Sequence, residues 1–203
     1  MKVSIGVLTF NGAFRVAYLL KSIKDAVEAT GFKDLGVVVY DDGSSDFYRQ
    51  ELLTQVTVYR DAGCPFELEL EQSRENMGFR RGMNVVSQFY DADVQIVISD
   101  DYLILPNWLE AISYFYENNE NVGVLYFNAP SFQQRAIKYA PPPSSPIRLF
   151  HGFGGCMAFN RKNYWSLGGI DETSKMFYEE MVLACQFMIR GYENWSLTYP
   201  TIY

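Results

Sequence analysis

The sequence is poor in the residues that mark secreted, zinc-binding or membrane-spanning proteins. Its 203 residues include three cysteines and one histidine. An odd number of cysteines without CxxC spacing provides neither a disulfide framework nor a zinc site. No apolar run reaches the roughly 18 residues that a transmembrane helix needs, and Met1 leads directly into strand-like residues rather than into a signal peptide. We therefore expect a cytoplasmic protein without a transmembrane segment.

Positive charge is also scarce. Lys and Arg total 17, whereas Asp and Glu total 24, which gives a formal net charge of −7. This balance argues against a broad nucleic-acid-binding surface, although a local basic patch is compatible with it. Apolar residues make up 48% of the chain and charged residues 20%, which is typical of a globular protein. We therefore expect a folded domain rather than a disordered chain.

Two common nucleotide-binding motifs are missing. The first predicted strand is followed by TFNGAF, where a dinucleotide-binding oxidoreductase would carry GxGxxG. The P-loop pattern GxxxxGK[ST] does not occur in the chain. Both absences argue against the enzyme classes that depend on these phosphate-binding loops.

What the sequence does contain is a regular alternation of apolar runs and helical patterns. Buried strands are predicted at 3–9, 35–40, 66–70, 94–98 and 122–127, and helices at 16–27, 47–58, 78–90 and 106–118. This alternation is typical of an α/β domain with a mostly parallel central sheet flanked by helices.

One stretch, VQIVISDDYLILPNWLE at 94–110, organises this pattern. Its apolar run ends abruptly in Ser99, Asp100 and Asp101, and Pro106 then favours the start of a helix. Ligands of open α/β sheets bind beyond the carboxyl ends of the strands. Two adjacent carboxylates there could hold a hard divalent cation and, through it, a diphosphate. The alternative is an ordinary Asp-rich turn after a buried strand.

The second half of the chain has a different character. Five prolines fall between residues 129 and 146, which predicts a mobile lid or binding loop. A Gly-rich stretch, a short helix near residue 163, a helix at 177–190 and a last strand or extended tail at 195–203 follow. No linker separates the halves, so we expect one domain over 1–203, divided functionally into 1–127 and 128–203.

Several stretches together resemble the family 2 type of glycosyltransferase, which has the GT-A fold. The resemblance covers nearly the whole chain in the family's order, through VLTFNGAFRVAYLLKSI, VVVYDDGSSD, ENMGFRRGMN, SDDYLILPNWLEAI, GGCMAFNRKNYWSLGGIDE and FYEEMVLACQFMIRGY. Each motif alone is weak, but their spacing and order agree. The resemblance implies a single GT-A domain, with 1–127 as the nucleotide-sugar-binding half and 128–203 as the acceptor half.

The resemblance also implies a nucleotide site in the first half. Thr9, Phe10 and Asn11 would line the base, and Asp42 would accept a hydrogen bond from it, most simply from N3–H of uracil. An ordinary turn at 41–43 is the alternative for Asp42.

Two basic residues of the third motif would complete this site. Arg80 or Arg81 would approach the base or a phosphate according to the family pattern. The alternative for both is a solvated helix face.

The acidic residues implied for the chemistry lie in two places. Asp100 would hold the ribose or share the metal, and Asp101 would be the direct ligand of Mn²⁺ or Mg²⁺. Glu180 would be the general base, with Glu179 as the competing candidate. Two departures stand out, because Ser99 occupies the place of an acid in the metal motif and Glu179–Glu180 replaces a Glu-Asp pair.

The implied activity is metal-dependent transfer of a sugar from a nucleotide-diphosphate donor, most simply a UDP-sugar, to an acceptor hydroxyl with inversion. The acceptor could be a saccharide, a lipid, a protein or a modified base. A non-catalytic nucleotide-sugar or glycan-binding domain of the same fold is the alternative. A nucleotidyltransferase is a more distant one, since such enzymes usually begin with a Gly-rich basic loop that this chain lacks.

Overall fold

The first half of the chain alternates strands and helices as the sequence pattern predicts. The computed structural model describes residues 1–127, 147–149, 155–173 and 179–197. The elements of the first half are β1 Val3–Thr9, α1 Ala13–Thr30, β2 Leu35–Asp41, α2 Asp46–Asp61, β3 Glu67–Gln72, α3 Phe79–Phe89, β4 Val94–Ser99, α4 Trp108–Glu117 and β5 Val122–Phe127. Predicted and observed boundaries differ by no more than three residues.

The second half adds shorter elements. They are β6 Ile147–Leu149, β7 Cys156–Asn160, α5 Arg161–Ser166, α6 Glu179–Ile189 and β8 Glu193–Leu197. The last strand therefore begins two residues before the predicted 195–203 segment, and its described part ends at Leu197. The predicted lid at 129–146 lies outside the described residues.

Within these described ranges, eight strands form one sheet in the order β3-β2-β1-β4-β7-β5-β8-β6. The strands β1 to β5 and β8 run in one direction, whereas β6 and β7 run in the opposite direction. The prediction of a mostly parallel α/β sheet is therefore confirmed. The strand that ends at Ser99 lies in the middle of the sheet, between β1 and β7.

Helices cover both faces of the sheet. Apolar side chains of α1, α2 and α4 pack on one face, and those of α3, α5 and α6 pack on the other. Every residue of β1, β2 and β5 is buried as a result, which is the expected state of parallel strands covered on both sides. None of the helices in the part of the chain described is long and apolar enough to cross a membrane.

The order of the strands creates a crevice at one edge of the sheet. From β1 the chain moves to β2 and β3 on one side, and β4 then returns to the other side of β1. In open α/β sheets ligands bind at the carboxyl ends of the strands next to such a reversal. Here these ends are Thr9, Asp41 and Ser99, from β1, β2 and β4.

Candidate functional site

A cavity of about 250 Å³ opens at the carboxyl ends of β1, β2 and β4. Both polar and aromatic side chains contribute to its wall. Phe10 is 49% exposed and Thr9 only 4%. The lining residues are Leu8, Thr9, Phe10, Tyr40, Asp42, Asn76, Gly78, Phe79, Gly82 and Ser99. The resemblance predicts one nucleotide site for Thr9, Phe10 and Asp42, and all three residues line this cavity.

The buried carboxylate of Asp42 anchors the loop in front of α3. Its Oδ1 accepts a hydrogen bond from the backbone N–H of Met77 at 2.7 Å, and its Oδ2 accepts one from Gly78 at 2.9 Å. Gly43, at φ 77°, packs so closely on Glu75 that a Cβ atom would collide with its backbone. Each oxygen of Asp42 still has one acceptor position left, so the carboxylate can accept a further hydrogen bond from a base.

Asn11 connects the loops that follow β1 and β2. Its backbone N–H donates to Ser44 Oγ at 2.7 Å, and its side-chain oxygen accepts from the N–H of Ser45 at 3.0 Å. Its φ of 52° lies in the left-handed region, which Asn tolerates better than most residues. Asn11 therefore shapes the loop that follows β1. Its neighbours Thr9 and Phe10 line the cavity, but Asn11 itself does not.

Asp100 follows β4 and is buried against α1. Its Oδ1 accepts from Arg15 Nε at 2.9 Å, and its Oδ2 accepts from Arg15 Nη2 at 3.1 Å and from the hydroxyl of Thr9. The hydrogen bond with Asp100 raises the pKa of the Arg15 guanidinium. Sequence reasoning missed Arg15, because its partner is 85 residues further along the chain.

Asp101 has a different environment from its neighbour. Its side chain is exposed, and it makes no hydrogen bond or ion pair with any residue that the structure describes. The described ranges contain no cluster of three or more His, Cys, Asp or Glu residues around it. Mg²⁺ and similar hard cations are commonly held by one or two carboxylates together with phosphate oxygens and water. One free carboxylate beside a second, partnered one fits such a cation.

Arg80 and Arg81 point toward the turn after α5. Arg80 is 6% exposed, and its Nη1 donates to the carbonyl oxygen of Asp171 at 3.2 Å. Arg81 Nη1 lies 3.3 Å from both carboxylate oxygens of Glu172. A solvated helix face is therefore wrong for Arg80. Neither guanidinium lines the cavity, and their contact with a base or a phosphate remains a prediction.

Asn84, the last residue of the ENMGFRRGMN motif, fastens α3 to the same turn. Its side-chain amide donates to the carbonyl oxygen of Ile170 at 2.9 Å and to Glu172 at 2.6 Å, while its oxygen accepts from Ile170 N–H and from the Tyr164 hydroxyl. Gly169, at φ 77°, leaves the space for this approach. The motif from the first half and the GGIDE segment from the second thus form one interface.

Glu179 and Glu180 lie at the start of α6. The Tyr126 hydroxyl, near the carboxyl end of β5, donates to the backbone carbonyl of Glu180 at 2.8 Å. Since β4 and β5 run in the same direction, α6 begins at the same edge of the sheet as Asp101. Both glutamates are partly buried, and Glu179 Oε2 is a buried atom without a hydrogen-bond partner among the described residues.

Comparison with known sequences gives one family. The sequence profile of the family described as glycosyl transferase family 2 matches residues 4–168. No curated protein matches the chain at a significant level.

Comparison with solved structures gives relatives of the same fold. The mannosyltransferase PcManGT from Pyrobaculum calidifontis, in complex with GDP-Man and Mn²⁺, aligns with a TM-score of 0.76 at 18% identity, over 95% of this chain and 53% of that one. S. aureus TarS 1-349 aligns with a TM-score of 0.72 at 18% identity, over 98% and 58%. GalNAc-T7 with UDP, GalNAc and Mn²⁺ aligns with a TM-score of 0.76 at 12% identity, over 100% and 43%. The chain therefore spans roughly half the length of the solved proteins whose fold it has.

Proposed function

The chain belongs to glycosyl transferase family 2, and we propose that it moves a sugar from a nucleotide-diphosphate donor to an acceptor hydroxyl. The observation that carries the proposal is the meeting of Thr9, Asp42 and Asp100 at the carboxyl ends of three strands, beside a cavity and the free carboxylate of Asp101. Burying carboxylates is costly, and the carboxyl ends of parallel strands next to a reversal of strand order are where ligands of open α/β sheets bind.

The donor that we propose is a UDP-sugar. Its uracil would lie against the exposed ring of Phe10, and N3–H of the uracil would donate to an open acceptor position of Asp42. In cytosine N3 is a hydrogen-bond acceptor, so it would face the carboxylate of Asp42 without a proton to donate. The relatives' structures contain UDP, UDP-GlcNAc and GDP-Man, which supports a nucleoside diphosphate but leaves the base to be tested.

The donor phosphates would be held with Mn²⁺ or Mg²⁺. Asp101 would be the direct ligand, and Asp100 would hold the ribose or share the metal. When bound, such a cation acts as a Lewis acid that neutralises charge developing on the leaving diphosphate. Two of the related structures contain Mn²⁺.

The acceptor would be activated by Glu180, with Glu179 as the alternative base. The carboxylate would take the proton of the acceptor hydroxyl. At the same time the hydroxyl oxygen would form a bond to the anomeric carbon, and the bond from that carbon to the diphosphate oxygen would break. Attack from the face opposite the leaving group inverts the anomeric centre. Positions in the first turn of a helix favour the ionised form of a carboxylate, which is the form that a base needs.

The two halves of the chain would divide these tasks. Residues 1–127 would bind the nucleotide-sugar, and residues 128–203 would bind the acceptor, which could be a saccharide, a lipid, a protein or a modified base. The two halves are in contact, which supports the idea that they act on one cleft. The contact joins the turn at Asp171–Glu172 to Arg80, Arg81 and Asn84 of α3. A non-catalytic nucleotide-sugar or glycan-binding domain is the second candidate, since Arg15 compensates one of the two adjacent carboxylates.

The test combines binding with turnover. Thermal shift with UDP, CDP and GDP, each with Mn²⁺ or with EDTA, measures recognition, because a ligand of the native state raises its apparent stability. Hydrolysis of UDP-sugars in the presence of Mn²⁺ measures chemistry. We expect UDP to stabilise most, with an Mn²⁺ requirement, and slow donor hydrolysis. Binding without hydrolysis or transfer would favour the non-catalytic candidate, and no binding of any of the three nucleotides would contradict the proposed UDP-sugar donor.

A further inference from the structure

The turn that follows β4 lies between two neighbouring strands of the sheet. The backbone N–H of Tyr102 donates to the carbonyl oxygen of Ser99 at 3.4 Å, which closes the turn around the two adjacent aspartates. On one side, the N–H of Asp100 donates to the carbonyl oxygen of Leu8 in β1 at 3.2 Å. On the other side, the N–H of Ser99 donates to the carbonyl oxygen of Gly155, immediately before β7, at 2.8 Å. Both halves of the chain therefore hold the backbone of this turn.

The side chains of the turn have three different environments. Asp100 is buried on the side of α1, where its carboxylate is hydrogen-bonded. The ring of Tyr102 is half-buried and packs on the core beneath α1 and α4 and on Gly155. Asp101 lies between these two residues, is exposed, and makes no hydrogen bond or ion pair with any residue that the structure describes. The position of the Asp101 carboxylate therefore depends on how firmly its two neighbours are held.

Tyr102 approaches Gly155 so closely that no other residue fits at position 155. A Cβ atom there would collide with the Tyr102 hydroxyl and lie 2.6 Å from Cε2 and 2.7 Å from Cζ of the ring. The φ of Gly155 lies outside the left-handed region, so the backbone itself does not require glycine. The Gly-rich stretch of the second half thus provides, at this residue, the space for an aromatic ring from the first half.

Resting on the proposed function, we infer that Tyr102 is a positioning residue, whose ring, packed on Gly155, fixes the turn that presents Asp101 to the divalent cation. Groups that orient a metal ligand typically contribute about 10–100-fold to metal affinity or activity. Asp101 has no hydrogen-bond partner of its own among the described residues, so the turn has to supply this orientation. The cation site of the first half then depends on a residue of the second half.

The experiment compares Tyr102→Ala, Tyr102→Phe, Gly155→Ala and the double variant Tyr102→Ala with Gly155→Ala. The matched control is Tyr114→Ala, because Tyr114 lies on α4 and is 71% exposed. UDP is titrated by calorimetry, once with saturating Mn²⁺ and once with EDTA, and the ratio of the two affinities is the Mn²⁺ gain. Circular dichroism checks that each variant is folded. If Tyr102→Ala does not fold, Gly155→Ala, which keeps the Tyr102 side chain, decides the question.

We expect Tyr102→Ala to lower the Mn²⁺ gain by about tenfold or more, while its UDP affinity in EDTA stays within about threefold of wild type. Tyr102→Phe keeps the ring and should keep the gain. Gly155→Ala should lower the gain, because the new methyl group displaces the ring. The double variant should lose no more than Tyr102→Ala alone, since the methyl group then enters the space that the ring has left. Tyr114→Ala should match wild type in both titrations.

Four results would overturn the inference. The first is an unchanged Mn²⁺ gain in Tyr102→Ala or in Gly155→Ala. The second is an equal loss of UDP affinity with Mn²⁺ and with EDTA, which would mean that Tyr102 only supports the fold. The third is a loss in Tyr102→Phe as large as in Tyr102→Ala, which would assign the effect to the hydroxyl instead of the packed ring. The fourth is a double variant whose loss is the product of the two single losses, so that Gly155 acts independently of Tyr102.

The wild-type titrations separate this inference from the proposed function. A wild-type protein that binds no UDP, or binds it equally well with Mn²⁺ and with EDTA, refutes the proposed donor or its cation, and the positioning role of Tyr102 with them. A wild-type Mn²⁺ gain that Tyr102→Ala and Gly155→Ala both keep refutes the positioning role alone.

Discussion

Each end of the central sheet opens into a hollow, and the two hollows differ in size and in chemistry. The hollow at the amino ends of β1, β2 and β3 has about 720 Å³, against about 250 Å³ at the carboxyl ends. The charged groups that line the larger one, including Lys2, Lys33, Asp34 and Glu67, are all exposed. At the carboxyl ends, Asp42 and Asp100 are buried and hydrogen-bonded.

The difference shows that volume is a poor guide to the site in this fold. An exposed lysine or glutamate costs little to maintain, whereas a buried carboxylate is kept only where hydrogen bonds compensate its lost hydration. The buried carboxylates Asp42 and Asp100 lie at the end of the sheet that has the smaller cavity. The following predictions compare substitutions at the two ends of the sheet.

The largest effect is expected at Glu180. Glu180→Gln should leave donor binding nearly intact and lower single-turnover transfer by about 10²–10⁴-fold, the usual contribution of a general base. Glu67→Gln, at the amino-end hollow, removes an exposed carboxylate and should transfer at the wild-type rate.

Glu179→Gln distinguishes the two candidate bases of α6. Adjacent helical residues point about 100° apart, so we expect only one of them to face the acceptor. If Glu180→Gln stays within about threefold of wild type while Glu179→Gln is inactive, Glu179 is the base. If both are active, transfer does not use a side-chain base from α6.

Asp101→Asn should have the next largest effect. It keeps the shape of the side chain and removes the charge, so we expect turnover to fall by about 10²-fold, the scale of losing one stabilising group in a transition state. UDP binding should lose its dependence on Mn²⁺. Asp34→Asn at the opposite end of the sheet is the control. A normal Mn²⁺ response in Asp101→Asn would contradict the metal assignment.

Asp42→Ala should weaken UDP binding by about 1–3 kcal/mol, the cost of leaving a buried donor unpaired. Calorimetry with UDP and CDP measures the binding free energies, and Asp34→Ala is the control. Because Asp42 also anchors Met77 and Gly78, the variant should lose thermal stability as well. Equal binding of UDP and CDP by wild type and variant would show that Asp42 does not contact the base.

The smallest effect is expected at Lys33. Lys33 is exposed in the wall of the larger hollow, so Lys33→Ala should change the free energy of unfolding by no more than about 0.5 kcal/mol. Its UDP affinity should equal that of wild type. A clear loss of UDP binding would show that the amino-end hollow, rather than the carboxyl-end cavity, takes the nucleotide.

The strands and the edge that carries the site could be predicted from the sequence, because a buried parallel strand is a continuous apolar run that stops at polar residues. The run that ends at Ser99 is an example. The partners of the acids could not be predicted. Asp42 is held by backbone N–H groups, which have no sequence signature, and Arg15 looks like an ordinary polar residue of α1 until the fold brings Asp100 to it.

The position of β7 has a consequence for how the chain reaches its folded state. The strands β1 to β4 pair only with one another until residues 156–160 arrive and insert between β4 and β5. Before that, β5 has no strand neighbour and β4 presents an unpaired edge, which is a site for aggregation. During synthesis the sheet of the first half therefore stays incomplete until β7 has been made. Strand pairs that are so distant in sequence form slowly. A fragment that stops at Phe127 should need a chaperone to stay dispersed.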